Sequence, residues 1–145
     1  MSTNTILLVD DEVPFVETMT KRLDKRGLNV IAAHGGEEAL QVLKEKSDID
    51  VIILDVKMPG MDGIETLTEI KKRHPLKEVI MLTGHATVET AIEGMKLGAF
   101  DYLMKPCDID VLTAKVDEAA RKKRVHDEKI EKARIDKLVL TRGYD

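Results

Sequence analysis

Three aspartates, a threonine and a lysine carry the chemistry this sequence offers. The stretch TILLVDD at residues 5–11 runs β-prone apolar side chains straight into two adjacent carboxylates, Asp10 and Asp11, with Glu12 next. Asp55 closes the apolar run VIIL, Thr83 follows EVIML, and Lys105, then Pro106, follows FDYLM. Three carboxylates in one pocket repel and push one another's pKa up unless positive charge sits among them. A hard divalent cation is the natural occupant, with Lys105 as the fixed counter-charge. Mg²⁺ takes one or two carboxylates, keeps several waters and adds a phosphate oxygen. That donor set describes a phosphoryl-transfer site, whose work is positioning and charge neutralisation. One carboxylate can then serve as nucleophile and form an aspartyl-phosphate. Asp55 is the candidate, because its strand looks the most buried and the most central; Asp10 and Asp11 would hold the metal.

These residues meet only if the chain brings the ends of the apolar runs together. Five β-prone runs, at 5–9, 28–33, 50–54, 78–82 and 99–104, alternate with helix-like segments. Val16, Met19 and Leu23 share a face of the first segment, and Ala39, Leu40 and Leu43 of the second. Ile64, Leu67 and Ile70 do so in the third, and Ala91, Ile92 and Met95 in the fourth. Gly27 and Gly98 stand where left-handed helix caps are wanted, and Pro75 closes the third helix. Strict alternation with near-continuous apolar strands indicates a doubly wound, five-stranded parallel α/β sheet covered on both faces. Right-handed crossovers put every strand's C-terminal end on one edge, where ligands bind at the switch in strand order. With the order 2-1-3-4-5, Asp10, Asp11 and Asp55 converge, and Thr83 and Lys105 flank them. The second strand ends in His34-Gly35-Gly36, which offers no evident chemistry.

From about residue 108 the pattern is helical, with Ile109, Leu112, Val116 and Ala119 or Ala120 as a docking face. The run RKKRVHDEKIEKARIDK then supplies opposite-charge pairs at i, i+4: Asp117/Arg121, Glu118/Lys122 and Glu128/Lys132. It reads as the last helix continuing into solvent, followed by the tail LVLTRGYD without a further domain.

Asp10-Asp11, Asp55 before KMPGMDG, Thr83 before Gly84-His85, and FDYLMKP with Lys105 together resemble the response-regulator receiver domain of two-component signalling. The resemblance covers roughly residues 4–120, and five positions in that order form a specific pattern. It implies the flavodoxin-like (βα)5 fold and phosphorylation of Asp55 by a histidine kinase or phosphotransfer protein. Mg²⁺ would be held by Asp11, Asp55 and the backbone carbonyl of Lys57, with Asp10 acting through water. Lys105 would contact a phosphoryl oxygen, and the Lys105–Pro106 bond would be cis. Thr83 would swing towards the phosphoryl group and Tyr102 rotate inward behind it, changing the surface of the fourth helix, fifth strand and fifth helix. The stretch TGHATVETAIEGMKLGAFDYLMKP is similar to receivers of nitrogen-regulation-type transcriptional activators. Those proteins normally add an ATPase and a DNA-binding domain, so the output is expected through an unknown downstream protein or an effector domain outside this stretch.

Taken singly, each residue has a plainer reading. Asp10, Asp11 and Thr83 are helix caps, Asp55 and Lys105-Pro106 are turn formers, and Tyr102, alternating with Phe100 and Met104, is strand packing. Lys57 and His85 lie two residues beyond Asp55 and Thr83, so their side chains either reach the pocket mouth and govern water's access to the phosphoryl group or are simply solvated. A nucleotide- or flavin-binding protein of this shape needs a Gly- or Ser/Thr-rich loop after the first strand, and DDEVP presents negative charge instead. A receiver-like interaction module acting without phosphorylation is the alternative; it would be expected to lack part of the cluster, and all five positions are present. The module is not an enzyme beyond assisting its own phosphorylation and dephosphorylation.

The remaining bounds come from composition. The 145 residues suffice for one core, divided here into a receiver domain at 1–120 and a charged helical extension or linker at 121–145. No apolar run approaches a membrane span and no secretory leader is evident, which points to the cytoplasm. One cysteine, Cys107, excludes an internal disulfide framework. A net charge of −4 gives no general case for nucleic acid, and acidic neighbours make Arg121–Arg124 a solvated face. Four histidines show no zinc spacing. Ile130, Ala133, Ile135 and Leu138 give no clean heptad, against a strong coiled coil, and a phosphorylation-sensitive homodimer is expected through the fourth or fifth helix.

Overall fold

Apolar runs that do not alternate with polar residues must be covered on both faces, and the chain folds accordingly. The computed structural model describes residues 4–143, so the end of the LVLTRGYD tail lies outside the described residues. Strands β1 (Thr5–Val9), β2 (Asn29–Ala33), β3 (Ile49–Leu54), β4 (Glu78–Thr83) and β5 (Asp101–Met104) alternate with helices. The helices are α1 (Val13–Asp24), α2 (Gly36–Glu45), α3 (Gly63–Arg73), α4 (Val88–Lys96) and α5 (Ile109–Gly143). The sheet is parallel throughout, in the order β2-β1-β3-β4-β5.

Side chains of the central strands divide by parity. Leu7, Val9, Ile52, Leu54, Val79 and Met81 enter one core beneath α2 and α3; Ile6, Leu8, Val51, Ile53, Ile80 and Leu82 enter the other beneath α1 and α5. The expected faces of α1, α2 and the start of α5 are buried there, as are Leu67 and Ile70 of α3. Gly27 and Gly98 adopt positive φ (82° and 103°), as left-handed caps require.

Four local expectations are corrected. The apolar face of α4 is not docked: Ile92 and Met95 are 52% and 47% exposed, while Gly94 is the buried residue. A Cβ on Gly94 would lie 3.6 Å from the Tyr102 ring, so the helix presents its smallest side to the edge strand. The fifth strand begins at Asp101 rather than at 99, because the Ala99 N–H closes back on the Gly94 carbonyl. Phe100 and Tyr102 consequently pack into opposite cores rather than on one face, and Met104 is exposed. Beyond its docking face α5 is fastened by charge: Lys115 to Asp101 (3.0 Å), Lys122 to Glu78 (3.6 Å) and Lys123 to Asp50 (3.3 Å). Lys122 therefore reaches the sheet instead of pairing with Glu118, which takes Lys115 at 3.8 Å.

Candidate functional site

Parallel strands deliver their C-terminal ends to one edge, and β1 and β3, neighbours at the switch point, deliver Asp10 and Asp55 side by side. Carboxylate oxygens of Asp10, Asp11 and Asp55 all lie within 4.8 Å of one another. Asp10 and Asp55 are 1% and 2% exposed. Hydrogen bonds fix both: Asp10 Oδ1 accepts the Glu12 N–H at 2.9 Å, and Asp55 Oδ1 accepts the Val56 N–H at 2.8 Å. Hard oxygen donors gathered this closely, with Lys105 alone among the described residues ion-paired to one of them, fit a divalent cation such as Mg²⁺.

Lys105 is the fixed positive charge. Its Nζ donates to Asp10 Oδ2 at 2.6 Å and lies 3.5 Å from Glu12 Oε1. Burial lifts the Asp10 pKa above the usual carboxylate value and Asp55's charge adds to the rise, against the opposing pull of Lys105 and the Glu12 N–H. Burial draws Lys105 down, but its bond to Asp10 and the charges of Asp10, Asp55 and Glu12 outweigh it and hold the pKa above the ordinary lysine value. The backbone places this lysine firmly: its N–H bonds the Thr83 carbonyl at 2.9 Å, and the Lys105–Pro106 peptide is cis.

Thr83, fully buried at the end of β4, accepts the His85 N–H through its Oγ1 at 3.0 Å. Tyr102 is engaged with α4 rather than with the carboxylates, its hydroxyl 2.7 Å from Thr90 Oγ1. Thr90 in turn belongs to the Thr87 capping box that starts the helix. An open hollow of about 490 Å³ above the cluster is lined by Asp11, Glu12, Lys57, Met58, Pro59 and His85. Lys57 and His85 also line an adjoining hollow with Thr87 and Thr90, so both stand at the mouth.

Several participants were not singled out from the sequence. Glu12 stands in the sequence only as a neighbour of the aspartate doublet, yet it touches Lys105 and aligns Asp10. Phe15 places its ring under Lys105, with Nζ 3.9 Å from the centroid. Gly63 starts α3 against the Asp55 backbone, where a Cβ would lie 2.0 Å from the Asp55 carbonyl oxygen. The glycine of MDG after an aspartate-ended strand was the available signal for the last of these.

Residues 6–117 match the family described as the response regulator receiver domain. The chain belongs to that family. The receiver is 42% identical over 114 residues to the transcriptional regulatory protein ZraR of Escherichia coli K12, covering 79% of this chain and 26% of that protein. It is 41% identical over 112 residues to the DNA-binding transcriptional regulator NtrC of Klebsiella pneumoniae, covering 77% of this chain and 24% of that one. The receiver thus spans about a quarter of the length of these curated relatives. Among solved structures, a response regulator receiver domain protein of Clostridium thermocellum superimposes with a TM-score of 0.81 at 38% identity, covering 84% of this chain and 98% of that one. The receiver domain of NtrX from Brucella abortus does so with a TM-score of 0.75 at 33% identity, covering 80% and 98%. The receiver is therefore of the NtrC type.

Proposed function

We propose that this receiver accepts a phosphoryl group on Asp55 from a histidine kinase or phosphotransfer protein, in a Mg²⁺-dependent reaction, and thereby switches a protein-interaction surface. The observation that carries this reading is the carboxylate triad, Asp10 and Asp55 buried and Asp11 at the surface, with Lys105 held against Asp10. A free Asp55 oxygen attacks phosphorus, forming the acyl-phosphate O–P bond as the donor's P–N bond breaks and its electron pair stays on the imidazole. Bound Mg²⁺ would neutralise the charge gathering on the phosphoryl oxygens, held by Asp11, Asp55 and the Lys57 backbone carbonyl, with Asp10 acting through water. Asp10 keeps Lys105 charged and in place until a phosphoryl oxygen competes for it.

Thr83 would donate its hydroxyl to the new group, and Tyr102 would leave Thr90 as the loop after β4 shifts. The face made by α4, β5 and the start of α5 would carry the signal; Val88, Ile92 and Met104 are already exposed on it at 74%, 52% and 64%. The receiver would then occupy residues 1–120, with 121–145 as a helical extension or linker. We assign the segment no nucleic-acid surface of its own, no enzymatic role beyond its own phosphoryl chemistry, and a cytoplasmic setting. Among the described residues, no helix is long and apolar enough to cross a membrane.

Incubation with acetyl phosphate and Mg²⁺ tests the reading. A covalent adduct of one phosphoryl group is expected, absent with Asp55→Asn and with the metal chelated. No adduct in the wild type would favour an interaction module that works without phosphorylation. Chasing the adduct after donor removal reads its lifetime. Lys57→Ala and His85→Ala should alter it if those side chains govern water's access, and unchanged lifetimes would return them to plain solvent exposure.

A further inference from the structure

Lys105 approaches the carboxylates across an aromatic ring. Its ammonium lies 3.9 Å from the centroid of Phe15, donates to Asp10 at 2.6 Å and stands 3.5 Å from Glu12 Oε1. Phe15 occupies the first turn of α1, just after Pro14, and its other side packs on the core between α1 and α5. The lysine side chain is only 13% exposed. A group with three N–H donors therefore has one close anion, one anion at the limit of contact, and a π face.

We propose that Phe15 is a positioning residue for phosphoryl transfer, its ring a pedestal that holds the Lys105 ammonium over the pocket while its partner changes from Asp10 to a phosphoryl oxygen. This inference rests on the phosphorylation reading above. A ring quadrupole attracts a cation without accepting a strong hydrogen bond, so the ammonium can turn an N–H from one oxygen to another without losing its support. A carboxylate in the same place would add a further negative charge and compete with the incoming phosphoryl group. An aliphatic side chain would exclude water equally well but exert no pull on the cation. The ring thus does for Lys105 what Asp10 cannot do once a phosphoryl oxygen draws the ammonium away.

The plainer view, that Phe15 only fills space, makes a different prediction. Phe15→Leu keeps an apolar side chain and removes the π face; Phe15→Tyr keeps both. With Mg²⁺ present, the affinity for beryllofluoride and the rate of labelling by acetyl phosphate should fall about three- to tenfold in Phe15→Leu and stay near wild type in Phe15→Tyr. In a Lys105→Met background, Phe15→Leu should cause no further loss. A Leu variant that matches the wild type, a Tyr variant as impaired as the Leu one, or an undiminished Leu penalty without Lys105 would each reduce the ring to packing. These outcomes leave the phosphorylation reading standing. A wild-type chain that takes no label removes that reading, and the pedestal with it.

Discussion

Gly63 shows how tightly the Asp55 backbone is held. The first residue of α3 lies so close to β3 that a Cβ would sit 2.0 Å from the Asp55 carbonyl oxygen and 2.6 Å from Val56 Cα. Both neighbours are backbone, so neither can swing aside. Gly63→Ala should therefore destabilise the fold by about 1–3 kcal/mol, the usual cost of forcing a methyl into a filled space. Urea unfolding reads this loss, and the rate of labelling by acetyl phosphate should fall with it because the backbone carrying Asp55 must move. The carboxylates, Thr83 and Lys105 were legible in the sequence because each ends an apolar run, and a parallel sheet gathers run ends on one edge. Phe15, Gly63 and Thr90 were not. What matters for them is a distance between segments remote in the chain, which no local period encodes.

At the scale of elements, the period of each helix was readable but its facing was not always so. Helices α1 and α2 cover the sheet broadly, and their apolar stripes point inward as amphipathicity demands. Helix α4 flanks only the edge strand, so its contact narrows to Gly94 and its larger apolar residues turn outward. Helix α5 poses the opposite problem, since its charged run looked wholly solvated. Glu78, at the start of β4, is 4% exposed, and its Oε2 lacks a hydrogen bond; Lys122 is the α5 cation beside it, at 3.6 Å. Removing that cation leaves a buried carboxylate short of counter-charge. Lys122→Met is expected to cost about 1–3 kcal/mol of stability by urea titration, and Glu78→Gln in the same chain should restore most of it. A loss that persists in the double variant would instead assign the effect to Lys122's stem over Phe100, whose ring centroid is 5.7 Å from its Nζ.

For the whole molecule, the question is what the outward apolar residues of α4 meet. Val88, Ile92 and Met95, at i, i+4 and i+7, stand exposed on one face of α4, and Glu89, Glu93 and Lys96 border a hollow around Ile92. Contiguous apolar surface with a charged rim is how an intermittent protein contact is built, because a permanent one would carry fewer charges at its edge. Charges of both signs at the rim suit a self-complementary contact, so a second copy of the chain is the expected occupant. Helix α5 leaves Ile130, Ile135 and Leu138 exposed as well, but without the regular spacing that a coiled coil uses. The phosphorylated form should therefore dimerise through α4. Sedimentation with Mg²⁺ and beryllofluoride is expected to convert monomer to dimer, whereas Ile92→Glu should remain monomeric while still accepting a phosphoryl group on Asp55. A dimer that survives Ile92→Glu would move the contact to α5. A wild-type chain that stays monomeric with the mimic bound would leave the α4 surface to a different protein.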